Sequence, residues 1–197
     1  MGRYRPLPRV FYERPSVVVA RELLGKLLVK EEGGALLVGV IVEAEAYGGP
    51  EDPASHAARG RTKYNWPLWR EPGLAYVYRI YGVHFCLNVV AAERRGLGSA
   101  VLIRAVEPVE GVEVMRARRG VNDPRLLTSG PARLTEAYGI DLSFNGWDLT
   151  EGRVLYIARG ADVPDSRVAA STRVGVTKAR EAPWRFYVRD SPYVSRR

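Results

Sequence analysis

The sequence predicts an α+β fold, in which helices flank a curved mixed or antiparallel sheet and one β-hairpin protrudes. Segments with the pattern of strands outnumber those with the pattern of helices. The helical segments do not alternate regularly with the strands, as they would in a doubly wound α/β fold. With 197 residues, 46% of them hydrophobic, the chain is long enough to bury a core of its own. We therefore expect a single domain over residues 1–197.

The N-terminal part contains one predicted helix and two predicted strands. Residues 16–24 have the composition of a helix, with Ser16 as its candidate N-cap. Residues 27–30 form a short strand, and the pair Gly33–Gly34 makes the turn to the next strand. The next segment, residues 35–47, is a long run of apolar and β-branched residues and is the strongest strand prediction in the chain.

A long loop follows this strand. Residues 48–73 contain glycine, proline, several basic residues, and the two tryptophans Trp66 and Trp69. Loops longer than about 15 residues are uncommon inside a small domain unless they have a function. The sequence does not assign a role to either tryptophan.

The second half predicts a hairpin and then shorter elements. Residues 75–81 and 84–91 are two strands that turn near Gly82, and residues 100–106 form another strand. A helix is expected over residues 109–118. A proline at a first helical position and a glycine after the last turn indicate a further short helix. This helix covers residues 131–138. The last two predicted strands cover residues 154–158 and 185–188.

The charge of the chain favours a polyanionic partner such as nucleic acid. The formal net charge is +8, and 26 of the 30 basic residues are arginine. Arginine binds phosphate through a planar pair of donors, whereas lysine offers a point charge. A basic enzyme with no nucleic-acid partner is the alternative that charge alone leaves open.

The single cysteine and the lack of long apolar segments indicate where in the cell the protein is located. Cys86 is the only cysteine, so an internal disulfide is excluded, which agrees with a reducing environment. No apolar run approaches the roughly 18 residues of a membrane helix, and the N-terminus has no apolar core of a signal peptide. We expect an intracellular protein of the cytoplasm or nucleoid that is not secreted and has no membrane partner.

Two carboxylates in the strongest strand could carry chemistry. Side chains two residues apart in a strand point to the same face, so Glu43, Glu45 and Tyr47 should share one face. Carboxylates roughly 7 Å apart disfavour each other's ionisation, and one of them could act as a base. The alternative is an ordinary solvated strand face.

The predicted hairpin contains three tyrosines and one unusual asparagine. Tyr76 fits sheet packing best, whereas Tyr81 lies next to the turning Gly82, where a core residue is least expected. An exposed aromatic ring in a basic protein can wedge between stacked bases. Asn88 lies among apolar residues, so it either bonds to backbone or tests a ligand's hydrogen bonds.

One arginine and one histidine complete the candidate residues. Arg104 lies in the middle of an apolar strand, where a guanidinium needs a charged partner, and Glu43 or Glu45 would supply it. His56 lies in the long loop, and a single histidine is usually neither a catalyst nor a ligand. No Gly-rich nucleotide motif and no nucleophile elbow are present.

At this point the residues resemble a known family, the alkyladenine (mammalian-type 3-methyladenine) DNA glycosylases. The first matching segment is VEAEAYGGPEDPASH; three separate motifs have matching internal spacing, and the match continues through three further segments to cover nearly the whole chain. These segments are residues 42–56, 76–90, 102–111, 127–141, 173–179 and 185–195. The resemblance implies a DNA glycosylase domain over residues 1–197 that binds damaged double-stranded DNA as a monomer.

The resemblance also implies roles in base excision repair. A damaged purine must leave the stack before its glycosidic bond can be reached. Glu45 would activate the water, Arg104 would help hold that water or the flipped nucleotide, and Tyr81 would fill the gap in the duplex. Asn88 would lie against the position of the 2-amino group of guanine. The walls of the base pocket would be Tyr47, His56 and Tyr78.

The implied reaction is hydrolysis of the N-glycosidic bond of alkylated or deaminated purines, with no metal and no cofactor. Candidate substrates are 3-methyladenine, 7-methylguanine, hypoxanthine and ethenoadenine, which the sequence does not rank. The three segments that hold the candidate site residues contain no lysine, so we expect an abasic product and no Schiff-base lyase step. Two alternatives are a non-catalytic nucleic-acid-binding module and a small-molecule hydrolase that uses Glu43 and Glu45.

Overall fold

Eight strands pair antiparallel in one sheet in this computed structural model, which describes residues 3–195. The strands are β1 Leu27–Glu32, β2 Ala35–Tyr47, β3 Ala75–Ile80, β4 His84–Val90, β5 Ala100–Glu110, β6 Leu155–Ala158, β7 Val168–Ser171 and β8 Arg185–Val188. The helices are α1 Arg9–Tyr12, α2 Ser16–Glu22, α3 Val112–Arg119 and α4 Pro131–Tyr138. The predicted α+β class is therefore confirmed.

The long strand β2 lies at the centre of the sheet. The strand order is β3-β4-β5-β2-β1-β6, and β8 pairs with the end of β2 and with β7. Residues of β2 alternate between the two faces, and Val42, Ala44 and Ala46 belong to the main apolar core. Helices α2 and α4 pack on this side against β2, β4 and β5. The opposite face carries Glu43, Glu45 and Tyr47 at one end of β2, where it is called the polar face, and a separate apolar cluster of Val29, Val38, Tyr156 and Ala158 at the other end.

Several predicted bounds were wrong. Strand β5 continues to Glu110, so the helix predicted at 109–118 begins only at Val112, after Gly111 with φ 72°. Ser16 is the first residue of α2 and not its cap, which is Pro15, and the Ser16 hydroxyl donates to the carbonyl of Tyr47 at 3.1 Å. Helix α1 and strand β7 were not predicted, because neither RVFY nor VAAS shows a pattern that distinguishes it from the irregular segments beside it.

The 48–73 loop folds over the polar face and builds a second, small core there. It contains two 3₁₀ turns, His56–Arg59 and Trp66–Trp69. Trp69 packs on a buried cluster formed by Ala57, Leu68, Tyr76, Val90 and Ala100. Gly146 lies against the Trp66 ring, where a Cβ atom would come within 2.5 Å of the ring. Trp69 therefore holds the loop on the sheet, and Trp66 packs it against the segment around Gly146.

The β3–β4 hairpin ends in a turn with two left-handed residues. Tyr81 has φ 49° and Gly82 has φ 76°, and the Val83 N–H donates to the carbonyl of Ile80 at 3.3 Å. A positive φ at a tyrosine costs on the order of 1 kcal/mol. The Tyr81 side chain points away from the protein and is 91% exposed. The turn thus projects an aromatic ring into solvent.

Helices in the described part of the chain have at most eight residues, and none has the length and apolarity to cross a bilayer.

Candidate active site

Two β-bulges bring an arginine between the two candidate carboxylates. Glu43 pairs with Ala105 and Ala44 pairs with Ile103, so Arg104 is the extra residue on β5. A second irregularity lies between Ile41 and Glu43 on β2. Bulges bend a strand and redirect a side chain, and they are common beside active sites. Here the bulge directs the guanidinium of Arg104 to the carboxylates of β2.

The predicted pairing of Arg104 with the glutamates is confirmed. Its Nε donates to Glu43 Oε1 at 2.8 Å, and its Nη1 donates to Glu45 Oε2 at 3.2 Å. Arg104 is 6% exposed and both glutamates are 0% exposed. The alternative of a solvated strand face is therefore wrong. Two carboxylates and one guanidinium share a buried site on the polar face of the sheet.

Glu43 accepts further hydrogen bonds from two residues near the C-terminus. Arg185 Nε donates to Oε1 at 2.7 Å, and Ser195 donates through its N–H to Oε2 at 2.6 Å and through its hydroxyl to Oε1 at 2.9 Å. Burial raises the pKa of Glu43, but the charge of Arg104, the Ser195 N–H and Arg185 outweigh it, so the pKa is lowered overall. Glu43 is thus held as an anion.

Glu45 has a different environment. It accepts from the Tyr47 hydroxyl at 3.1 Å and from the N–H of Val174 at 2.7 Å, beside the bond from Arg104. Burial raises its pKa, the charge of Glu43 adds to this, and the donors Arg104, Val174 and Tyr47 only partly oppose it. Pairs of carboxylates with diverging pKa values are typical of acid–base sites. Of the two, Glu45 is the one suited to accept a proton.

A cavity of about 530 Å³ lies next to this buried group. It is bounded by the polar face of the sheet, by the 48–73 loop and by residues 175–178. The candidate residues on its wall are Tyr47, His56, Tyr78 and Asn88. Glu45 and Arg104 are not on the wall; Glu45 lies one hydrogen bond behind it, through the Tyr47 hydroxyl.

The aromatic rings of the wall are packed on one another. His56 Nδ1 and the Tyr76 hydroxyl form a hydrogen bond of 2.8 Å, and the His56 ring meets the Tyr78 ring edge-on at 4.4 Å. Tyr76 is only 4% exposed, as expected for a packing residue, yet it too lines the cavity, which was not predicted. The His56 ring is exposed to the cavity, but partial desolvation and the nearby Arg59 lower its pKa. It is therefore uncharged at neutral pH.

Asn88 makes the backbone bond that was one of the two alternatives for this residue, and it also lies at the cavity. Its Nδ2 donates to the carbonyl of Tyr76 at 3.0 Å, across the β3–β4 pair. Asn88 is 3% exposed and still forms part of the cavity wall. The side chain is thus fixed by the backbone bond at the edge of the cavity.

Tyr81 is separate from these residues. It is at the hairpin tip and is not part of the cavity wall. The hairpin tip and the cavity are thus two separate places on the protein surface.

Several residues of the site could not be found from the sequence. Val174 donates through its backbone, which carries no residue signal, and Ser195 reaches Glu43 from a different part of the chain. Lys178, in the loop that follows β7, lies on the cavity wall. Lys178 therefore places an amine on the cavity wall, outside the three segments that contain no lysine. Among residues 3–195, no cluster of three or more His, Cys, Asp or Glu side chains is arranged to hold a metal ion.

Two comparisons with known proteins, one with family models and one with individual sequences, agree with each other. The family model described as methylpurine-DNA glycosylase (MPG) matches residues 10–192. A protein of Methanoculleus marisnigri is 50% identical over 193 residues, which are 97% of this chain and 99% of that protein. A protein of Carboxydothermus hydrogenoformans is 48% identical over 191 residues, with the same two shares. Both carry the name "Putative 3-methyladenine DNA glycosylase".

Proposed function

The chain belongs to the methylpurine-DNA glycosylase family and is thus a DNA-3-methyladenine glycosylase of DNA repair, and we propose that it flips damaged purines out of duplex DNA. It then hydrolyses the N-glycosidic bond of the flipped purine with a water that Glu45 activates. The candidate bases are 3-methyladenine, 7-methylguanine, hypoxanthine and ethenoadenine. The product is an abasic site. One domain over residues 1–197 carries out the reaction as a monomer, in the cytoplasm or nucleoid where the DNA is.

The observation that carries this proposal is the position of Glu45 directly behind an aromatic cavity wall. Tyr47 both lines the cavity and donates to Glu45 at 3.1 Å. His56 and Tyr78 supply two more rings. A purine alkylated at N3 or N7 is cationic, and a cation is attracted to the faces of tyrosine rings. Such a cavity favours an alkylated base over a normal one.

The chemistry needs few groups because a cationic purine is already a good leaving group. The oxygen of a water forms a bond to C1′ of the sugar while the bond from C1′ to the purine nitrogen breaks. Glu45 takes the proton of the water, which its raised pKa favours. Arg104 helps hold the water or the flipped nucleotide. Hypoxanthine and ethenoadenine are neutral, so these bases must also be protonated to leave.

The surface around the cavity supports duplex binding. Exposed basic side chains lie on the segments that border it, and within residues 3–195 none of them forms an ion pair with an acidic side chain. These residues are Arg59, Arg61, Lys63, Arg79, Lys178 and Arg180. Basic residues that contact phosphates release counterions, so duplex affinity should fall steeply with salt. Tyr81 would then enter the duplex beside the extruded nucleotide.

One experiment tests the proposal against its alternatives. Duplexes with a single hypoxanthine, ethenoadenine or methylated purine are incubated with excess protein, and abasic sites are then cleaved by alkali. Wild type should release the base in a single turnover, whereas Glu45→Gln should bind the duplex but leave the base attached. Salt-sensitive binding with no base release by wild type would instead favour a binding module. Absence of duplex binding would favour a small-molecule hydrolase.

A further inference from the structure

A second buried ion pair lies beside the site, between Asp52 and Arg173. Arg173 Nη2 donates to Asp52 Oδ1 at 2.9 Å, and its Nη1 donates to Asp52 Oδ2. The arginine is 5% exposed and the aspartate is 4% exposed. They are 121 residues apart in the chain. A buried ion pair is weak evidence for stability by itself. What distinguishes this pair is its contacts with the segments that form the cavity wall.

The guanidinium of Arg173 contacts two backbone carbonyls and two aromatic rings. It donates to the carbonyl of Ala46 at 3.1 Å and to the carbonyl of Ala179 at 3.4 Å, which closes the 173–179 loop. Its Cζ lies 4.9 Å from the centre of the Tyr47 ring and 5.1 Å from that of Trp184. Arg173 therefore supports the cavity-wall residue Tyr47 from behind.

The carboxylate of Asp52 orders the opposite segment. It accepts from the N–H of Gly48 at 3.0 Å and from the N–H of Ala54 at 3.1 Å. These bonds shape the turn that leads from the end of β2 to His56. Burial raises the pKa of Asp52, but its bonds from Arg173 and the two backbone donors outweigh this and lower it overall, so the pair stays charged.

Three parts of the cavity wall therefore meet at one ion pair. They are Tyr47, the segment 50–56 that ends in His56, and the segment 175–178. The residue after Arg173 is Val174, whose N–H donates to Glu45 at 2.7 Å. We infer that Arg173 and Asp52 are positioning residues, which set the width of the base cavity and hold the Val174 N–H on Glu45. This inference rests on the proposed function, because it concerns the same cavity and the same carboxylate.

The substitution Asp52→Asn separates a positioning role from a charge effect. The charged and titratable groups that face Glu45 are Arg104, Glu43, Tyr47, Cys86 and Arg173. The acid limb of the pH–rate profile is the range in which excision slows because Glu45 becomes protonated. Loss of a nearby negative charge would lower the pKa of Glu45 and move this acid limb to lower pH. Loss of the Val174 bond would raise that pKa and move the limb to higher pH. The two effects have opposite signs.

We expect Asp52→Asn to move the acid limb of single-turnover excision to higher pH, because the bond from Val174 that lowers the pKa of Glu45 is lost. Arg173→Lys keeps the charge but loses the two-pronged contact, so it should shift the limb in the same direction. Both should also lower the maximal rate by roughly tenfold to a hundredfold, the cost of a misplacement of about 1 Å. Binding of undamaged duplex should change little.

Arg9→Lys is the matched control. Arg9 likewise bonds to an aspartate, Asp148, and to a backbone carbonyl, that of Pro72, but none of the three lines the cavity. It should lower the melting temperature without moving the acid limb. An unshifted or lowered limb in both test variants would overturn the inference, and so would failure of both to fold, since the pair would then be purely structural. Failure of the proposed function would appear separately, as full activity of Glu45→Gln.

Discussion

Glu43 and Glu45 bind the same guanidinium from one strand, yet their pKa values move in opposite directions. Arg104 donates to Glu43 at 2.8 Å and to Glu45 at 3.2 Å. Glu43 also accepts from Arg185 and twice from Ser195, whereas Glu45 accepts from Tyr47 and Val174. The stronger donor set keeps Glu43 ionised, and its charge helps to raise the pKa of Glu45. The two carboxylates should therefore respond differently to the same substitution.

Glu45→Gln should lower the rate of base excision by about two to four orders of magnitude, the usual contribution of a general base. Affinity for lesion DNA should stay near that of wild type, because the carboxylate acts in the transition state. Single-turnover excision and a binding titration on the same duplex measure both quantities. A Glu45→Gln variant that excises at the wild-type rate would remove Glu45 from the mechanism.

Glu43→Gln should mainly reduce stability. Removing one partner of a buried ion pair costs about 3–5 kcal/mol, and Glu43 serves both Arg104 and Arg185. For a chain of this size the melting temperature should fall by roughly 10 °C. Excision per folded molecule should fall less than in Glu45→Gln. Equal losses of excision in the two variants, measured well below their melting temperatures, would contradict this division of roles.

The pH dependence of excision should show the raised pKa of Glu45. The base works only when ionised, so the rate should fall as the pH drops through a value above the ordinary glutamate pKa of 4.5. Burial is the main cause of the shift. Single-turnover rates on a 7-methylguanine duplex across the acidic range give the midpoint, because this base is already cationic and needs no protonation to leave. A midpoint at or below 4.5 would show that Glu45 is not the group that titrates.

Lys178 tests whether hydrolysis is the only reaction. An amine on the cavity wall could in principle condense with the aldehyde of the abasic product and lose water. The side chain is exposed, and we expect no such adduct. Borohydride added during the reaction should trap no protein–DNA complex, and strand cleavage should need alkali. A trapped complex that disappears in Lys178→Ala would show a lyase activity.

The sequence was sufficient for the parts of the fold that have a clear period. The strand at Ala35–Tyr47 was predicted with its observed bounds because a long apolar and β-branched run, followed by alternation over residues 42–47, lies between the Gly33–Gly34 turn and the 48–73 loop. The start of α3 was misplaced because β5 crosses Pro108 and Val109 without a visible break. The ends of elements depend on tertiary pairing, which a single sequence does not display.

The same distinction applies to the site. The pairing of Arg104 with the glutamates could be predicted because a buried guanidinium must find an anion. The bulge that makes Arg104 reach both could not, because bulges depend on strand register. Ser195, Val174 and the pair Asp52–Arg173 were missed for a related reason. Their contacts join distant segments through backbone groups or single bonds, with no local motif.

Tyr81→Ala should weaken base flipping more than it weakens general DNA binding. A wedge repays part of the unstacking cost, which is a few kcal/mol, and one stacked ring is worth about 1–3 kcal/mol. Excision from well-paired duplexes should fall about tenfold or more, and from mismatched duplexes less. Tyr64→Ala is the control, since Tyr64 is 69% exposed outside the hairpin and should show no such dependence on pairing. An equal loss in both contexts for Tyr81→Ala would argue against a wedge.

Asn88 should exclude guanine from the cavity. Guanine differs from hypoxanthine by its 2-amino group, so a cavity that accepts one must reject the other at that atom. The Asn88 side chain is fixed by its bond to the Tyr76 carbonyl, so it cannot swing aside to admit a larger base. A rigid amide at this place rejects the amino group by steric overlap. Asn88→Ala should therefore release guanine slowly, whereas hypoxanthine excision should fall only modestly.

The structural bond of Asn88 requires a stability measurement beside the activity assay. Losing the hydrogen bond to Tyr76 should cost about 1 kcal/mol, or a few degrees in melting temperature. Asn88→Ser makes a smaller opening and should release less guanine than Asn88→Ala. If Asn88→Ala only unfolds the domain, the residue is structural. A well-folded Asn88→Ala that still leaves guanine untouched would show that the amide does not set the selectivity, and that the walls formed by Tyr47, His56 and Tyr78 must do so.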